Sequence, residues 1–212
     1  MFAINDMSDG GVSSATLNAT ILRSHSPAFA HWLSHVNGVQ ASAKMVDWLT
    51  NRSSLTAKLV ACSEQFRVQR LHQRRAIYLT DEAMQIGLPR RAKVYEREVL
   101  LRCDGEAVVY AHTVLPLTAT ASQWPLFSSL GERSLGSTLF NDPLVQRGDL
   151  TYARLRKAHP LMRRIAAVDG LDLEQSASLS LLARRSVFRR KGGCLLVTEV
   201  FLPAIANLKN RY

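Results

Sequence analysis

The chain has 212 residues, enough for one domain with a real core, and its 47% apolar and 21% charged residues predict a soluble globule. Lys and Arg number 27 against 17 Asp and Glu, a formal charge of +10. Residues 1–40 hold only Asp6, Asp9 and Arg23 as fixed charges, so the surplus lies beyond them and favours anionic partners, from nucleic acid to small polyanions. No apolar run reaches the roughly 20 residues of a membrane span. No basic stretch leads into an apolar one at the N-terminus. Cys62, Cys103 and Cys194 are odd in number and widely spaced, which predicts reduced thiols and a cytoplasmic protein.

Residues 1–28 are rich in Ser, Ala, Asn and Gly and predict a loose leader, within an N-terminal extension reaching about residue 40. Amphipathic patterns then predict helices over 28–36 and 43–49. A further short helix is expected over 55–62, capped by Ser53 or Ser54. Residues 65–79 alternate as a long strand. Strands over 95–103 and 106–116 flank Asp104-Gly105, the strongest short hairpin signal. Helices are expected near 122–130 and 136–140, and over 152–168 with an interruption at Pro160. A second hairpin, 182–190 and 194–202, turns through Lys191-Gly192-Gly193. Hairpin-linked strands with helices before and between them predict an α+β domain over residues 41–212, built on a single antiparallel sheet.

Two charges interrupt apolar strand faces. Arg97 shares a face with Tyr95, Val99, Leu101 and Cys103, and Glu199 sits in a last strand apolar on both faces. Burying either unpaired is expensive, so the pair predicts either a structural salt bridge or a pocket with a cation for an anionic ligand and a carboxylate for proton chemistry. A two-residue loop at Asp104-Gly105 pairs Cys103 with Glu106, Leu101 with Val108, Val99 with Tyr110 and Arg97 with His112. His112 is therefore expected beside Arg97.

Other chemistries find little support. No phosphate-binding or dinucleotide-binding glycine motif and no nucleophile elbow is present. His31 and His35 have helical metal-pair spacing without a third ligand, and the cysteines lack zinc spacing, so no metal is expected. Basic clusters at Arg74-Arg75, Arg90-Arg91-Lys93, Arg163-Arg164, Arg184-Arg185 and Arg189-Arg190-Lys191 read mainly as solvated strand and helix edges. A nucleic-acid partner would want a recognition motif besides charge, and none is found.

Several strings, in order, resemble chorismate lyase. They are Trp48-Leu49 and Ser54-Leu55-Thr56; Leu88-Pro89 with Val94 through Leu101; Cys103-Asp104-Gly105-Glu106 and Thr113-Val114-Leu115-Pro116. Leu130-Gly131 through Leu139-Phe140, Arg184-Arg185-Ser186 and Leu195 through Pro203 complete the set. The resemblance implies helical flaps closing over a buried ligand. It implies a cofactor-free lyase that cleaves chorismate to 4-hydroxybenzoate and pyruvate at the entry to ubiquinone synthesis, and a monomer is expected. It places the ring carboxylate on Arg97, the hydroxyl end of the ring at Glu199, and further contacts at Leu55 and Leu135. A Glu in apolar surroundings, with a raised pKa, would suit a proton-transfer role there. Relatives often carry Met at Leu55 and Arg at His112, and this chain adds residues around 158–179. A rival reading is a non-catalytic ligand-sensing domain for a small aromatic carboxylate, which would bind without turnover.

Overall fold

A computed structural model describes residues 29–89, 92–119, 122–171 and 180–209. The leader over 1–28, the Arg90-Arg91 pair and the last part of the added segment, 172–179, lie outside the described residues. Seven strands form one antiparallel sheet: β1 Phe66–Ile77, β2 Lys93–Cys103, β3 Glu106–Pro116, β4 Gln146–Arg147, β5 Thr151–Arg156, β6 Ser180–Arg190 and β7 Gly193–Phe201. Their order is β1-β2-β3-β7-β6, and β4 and β5 pair with successive stretches of the outer edge of β6. Both predicted hairpins form. Asp104-Gly105 and Lys191-Gly192 each take positive φ at both positions, the geometry that matches strand twist in a two-residue loop.

Five α-helices pack on the sheet: α1 Ala43–Thr50, α2 Leu55–Ala61, α3 Ala83–Ile86, α4 Leu135–Asn141 and α5 Pro160–Ala166. Ser42 and Ser54 cap α1 and α2, accepting from Met45 N and Ala57 N at 3.4 and 3.3 Å. On one sheet face Trp48, Leu49, Leu55 and Leu59 pack with Val68, Val99 and Leu101. Farther along that face Leu135 and Leu139 pack with Leu115, Phe188, Leu195 and Val197. On the other face α5 supplies Leu161, Met162 and Ile165 against Leu100, Tyr110 and Val200, and Ile86 of α3 packs with Val94, Val114 and Leu196. No described helix is long and apolar enough to cross a membrane.

Three expected helices are corrected. The described residues 29–35 form none, and only a 3-10 turn starts at Val36: Leu33 bridges Tyr152 through two 2.8 Å backbone bonds. Trp32 Nε1 donates to Asp81 Oδ2 at 2.8 Å. A nine-residue amphipathic stretch is marginal alone, so docking on the sheet decides its conformation. Residues 122–130 form turns, yet Trp124, Phe127 and Leu130, three apart, all enter one cluster and so mimic a helical period. Residues 151–156 are strand β5, because β6 offers them an open edge. Pro160 then begins α5 rather than interrupting a helix, behind His159 as N-cap.

The first hairpin also corrects the expected register. A bulge between Leu101 and Arg102 inserts Val108, so Leu101 pairs with Val109 and Arg97 with Thr113. One residue of slip moves His112 to the opposite face, where it pairs with Glu98. His112 is fully buried there, its Nδ1 3.0 Å from Glu98 Oε1 and its Nε2 2.9 Å from Glu82 Oε1. Glu96 and Glu98 are buried too, and Arg164 of α5 binds both.

Burial opposes charge on His112, but Glu82 and Glu98 outweigh it and raise its pKa to about 10. Burial likewise opposes ionisation of Glu98, but His112 and Arg164 outweigh it and lower its pKa to about 2. The raised imidazolium stabilises fully below its ordinary 6.5, and that contribution fades as pH climbs toward 10. The lowered carboxylate stabilises above its ordinary 4.5, and its contribution fades as pH falls toward 2. The cluster therefore contributes most between about 4.5 and 6.5. Urea unfolding as a function of pH should show the wild type losing stability above that window and His112→Gln losing much less. Parallel alkaline limbs in the two proteins would refute this assignment.

Candidate active site

The sheet face that carries α1, α2 and α4 holds a cavity between its two apolar clusters. Arg97, Glu199, Leu55 and Leu135 all line it. Val99, Ala111, Thr113 and Val197 form its floor between the two charged residues, on β2, β3 and β7. Arg97 and Glu199 are two strands apart and staggered by two residues, a Cα separation of roughly 12 Å by ordinary strand spacing and rise. They form no ion pair with each other among the described residues. The alternative of a direct structural salt bridge is therefore not what this sheet builds.

Arg97 is buried, and its Nη2 donates to Gly131 O and Arg133 O, each at 3.0 Å. These carbonyls fix the guanidinium while its buried Nε has no partner among the described residues. Burial, with the like charge of Arg70, lowers its pKa to about 10, still a cation at neutral pH. An oriented, desolvated cation with spare donors suits a carboxylate.

Glu199 departs from the expected apolar setting. Its Oε2 accepts from Arg184 Nε at 2.5 Å, and its side chain is 16% exposed. Arg184 is buried on β6 directly opposite Glu199. Its Nη1 donates to Trp48 O, Leu49 O and Asn51 O at 3.0, 3.2 and 2.7 Å, tying the end of α1 to the sheet. Arg184 and Arg185 thus leave the surface reading: Arg185 is also buried, with its guanidinium 4.0 Å above the Trp32 ring. Sequence reasoning placed Arg184 among solvated edges and took the second turn as three residues, so it gave Glu199 no partner. Reading Lys191-Gly192 as a two-residue loop places Arg184 opposite Glu199.

Leu55 and Leu135 are each the first residue of a helix, α2 and α4. The helices meet where Thr56 Oγ1 lies 2.6 Å from Ser134 Oγ. Gly136 permits this approach, since a Cβ there would lie 2.8 Å from Thr56 Oγ1. His112, expected among the lining residues, is on the other sheet face and does not line this cavity. Arg147 does line it and was not anticipated.

For metals, His72, Glu96 and Glu98 bring ligand atoms within 4.8 Å of one another, on the face away from the cavity. Arg164 binds both carboxylates and His112 one of them, so these acids are already neutralised by protein cations.

Comparison with known proteins agrees with the sequence strings. The family model described as chorismate lyase matches residues 20–210. A protein of Ralstonia nicotianae named "Probable chorismate pyruvate-lyase" is 49% identical over 75% of this chain and 81% of its own. Proteins of the same name from Cupriavidus pinatubonensis and Dechloromonas aromatica are 46% and 41% identical, over 77% and 84% of this chain and 83% and 97% of theirs. Among solved structures, the PhnF C-terminal domain is similar at TM-score 0.49 and 16% identity, over 72% of this chain and 91% of that one, too distant to bear on function. The cavity-lining Leu55, Arg97, Leu135 and Glu199 all fall within the matched span, and the chain belongs to the chorismate lyase family.

Proposed function

We propose that this lyase cleaves chorismate to 4-hydroxybenzoate and pyruvate, supplying the aromatic precursor of ubiquinone in the cytoplasm. The observation that carries the reading is Arg97 and Glu199 facing one cavity from strands β2 and β7 with an apolar floor between them. In the reaction the bond between the ring carbon and the enolpyruvyl oxygen breaks, a ring proton leaves, and the departing enolate gains a proton to become pyruvate. Aromatisation supplies much of the driving force. The protein has to orient the substrate, keep water out and handle protons.

Arg97 grips the ring carboxylate with the donors that Gly131 and Arg133 leave free. Glu199 takes the hydroxyl end and carries proton transfer there: Arg184 holds Oε2, so Oε1 is left to face the substrate. Leu55 and Leu135 cover the ring, and their backbone N–H groups, in first helical turns, have no intrahelical acceptor. Helices α2 and α4, joined at Thr56 and Ser134, act as the flaps.

Purified protein incubated with chorismate, without added metal or cofactor, should yield equimolar 4-hydroxybenzoate and pyruvate. A folded protein that binds 4-hydroxybenzoate but makes neither product would support the ligand-sensing alternative instead.

A further inference from the structure

We propose that Arg147 is the clamp for the second carboxylate of the substrate, the one on the enolpyruvyl group. The inference rests on the lyase reading above and adds a specificity residue to it. Chorismate is a dianion, whereas its aromatic product keeps only one of the two carboxylates. A site that distinguishes them needs a second cation, placed away from the one that holds the ring.

The cavity is lined by three arginines and one carboxylate, Arg97, Arg147, Arg184 and Glu199. Arg184 is paired with Glu199 through Nε and tied to the end of α1 through Nη1. Arg97 and Arg147 form no ion pair among the described residues, though the Glu199 charge reaches Arg147, and two such cations match two carboxylates. Arg147 lies on β4, which pairs through Phe188 with β6. Across the order β2-β3-β7-β6-β4 that is four strand spacings from Arg97, roughly 19 Å of sheet. Glu199, on β7, lies between them. A ring held by Arg97 with its hydroxyl end at Glu199 would extend its enolpyruvyl arm toward Arg147.

The setting of Arg147 is built for a planar anion. Its guanidinium lies 5.6 Å from the Phe140 ring and 5.4 Å from the Phe188 ring, and these two rings meet edge to face. Its Nη1 donates to Arg52 O at 2.9 Å. These contacts orient the fork at little entropic cost to a ligand. Its Nε is buried and has no hydrogen-bond partner among the described residues. A desolvated donor left open beside a substrate cavity is a costly feature unless a ligand fills it. Phe140 and Phe188 line the same cavity, so the clamp and the flap helix α4 are continuous.

The test compares a dicarboxylate with a monocarboxylate in the full chain. For Arg147→Gln, KM for chorismate should rise roughly 10- to 100-fold, the effect of losing a hydrogen-bonded charge, while the inhibition constant of 4-hydroxybenzoate stays within about twofold. Arg147→Lys, which keeps the charge without the fork, should recover part of the KM. Arg97→Gln should weaken both ligands. Thermal unfolding of each variant establishes that it is folded, and the conservative Lys variant serves if the Gln variant is not. If KM is unchanged in the variants, or if 4-hydroxybenzoate weakens as much as chorismate, the assignment of Arg147 is wrong. If the wild type itself fails to turn over chorismate, the lyase reading falls and this inference falls with it.

Discussion

Glu199→Gln is expected to lower turnover of chorismate by about 10²- to 10⁴-fold, the usual worth of a positioned proton-transfer group. Binding of 4-hydroxybenzoate should change far less, because Arg97 and the cover from Leu55 and Leu135 remain. Gln keeps an oxygen that can accept from Arg184 Nε, so the link between β7 and β6 can persist without the charge. Loss of kcat with retained product affinity is thus the signature of proton chemistry. A variant that turns over at the wild-type rate would remove Glu199 from the reaction. A variant that loses product affinity and turnover together would make it a binding group.

The largest expected effect on stability is at Arg184. Arg184→Met removes the cation from a buried pair and leaves the carbonyls of Trp48, Leu49 and Asn51 without their donor. Breaking one side of such a pair costs about 3–5 kcal/mol, mostly the penalty of the stranded partner. Urea unfolding should show a loss of that order. In the Glu199→Gln background the same change should cost less, with a coupling energy of roughly 0.5–3 kcal/mol. Additive losses would mean that Arg184 acts through the α1 carbonyls alone, and a loss below about 1 kcal/mol would remove it as the tie between α1 and the sheet.

The two expected effects therefore meet in one ion pair, Arg184 with Glu199. Glu199 lines the cavity while its Oε2 accepts from Arg184. Arg184 is in turn held by carbonyls at the end of α1 and at its C-cap Asn51, just before α2. The opposite sheet face carries a second, denser charge cluster, Glu82, Glu96, Glu98, His112 and Arg164, that does not line the cavity.

The sequence by itself determined the local features whose chemistry is local. Asp104-Gly105 dictates a tight turn because both positions tolerate positive φ, whereas the length of the second turn, Lys191-Gly192, was settled by strand pairing. Ser54 caps α2 through a bond three residues long. An Arg and a Glu on apolar strand faces marked the cavity they both line, because a charge on such a face needs a partner, from the protein or from a ligand.

Only the tertiary structure decided what depends on alignment between distant segments. One bulge residue, Val108, moved His112 from beside Arg97 to the other face, since strand faces alternate with period two. Residues 151–156 became a strand because β6 had an open edge to fill. Glu96 and Glu98, on the strand face opposite Arg97, are paired by Arg164, which α5 brings to them. Arg147, in a strand of two residues, carries no periodic signal, and its place in the cavity comes entirely from pairing with Phe188. Side-chain identity is written along the chain, but the partner of a buried charge is chosen by register and packing across it.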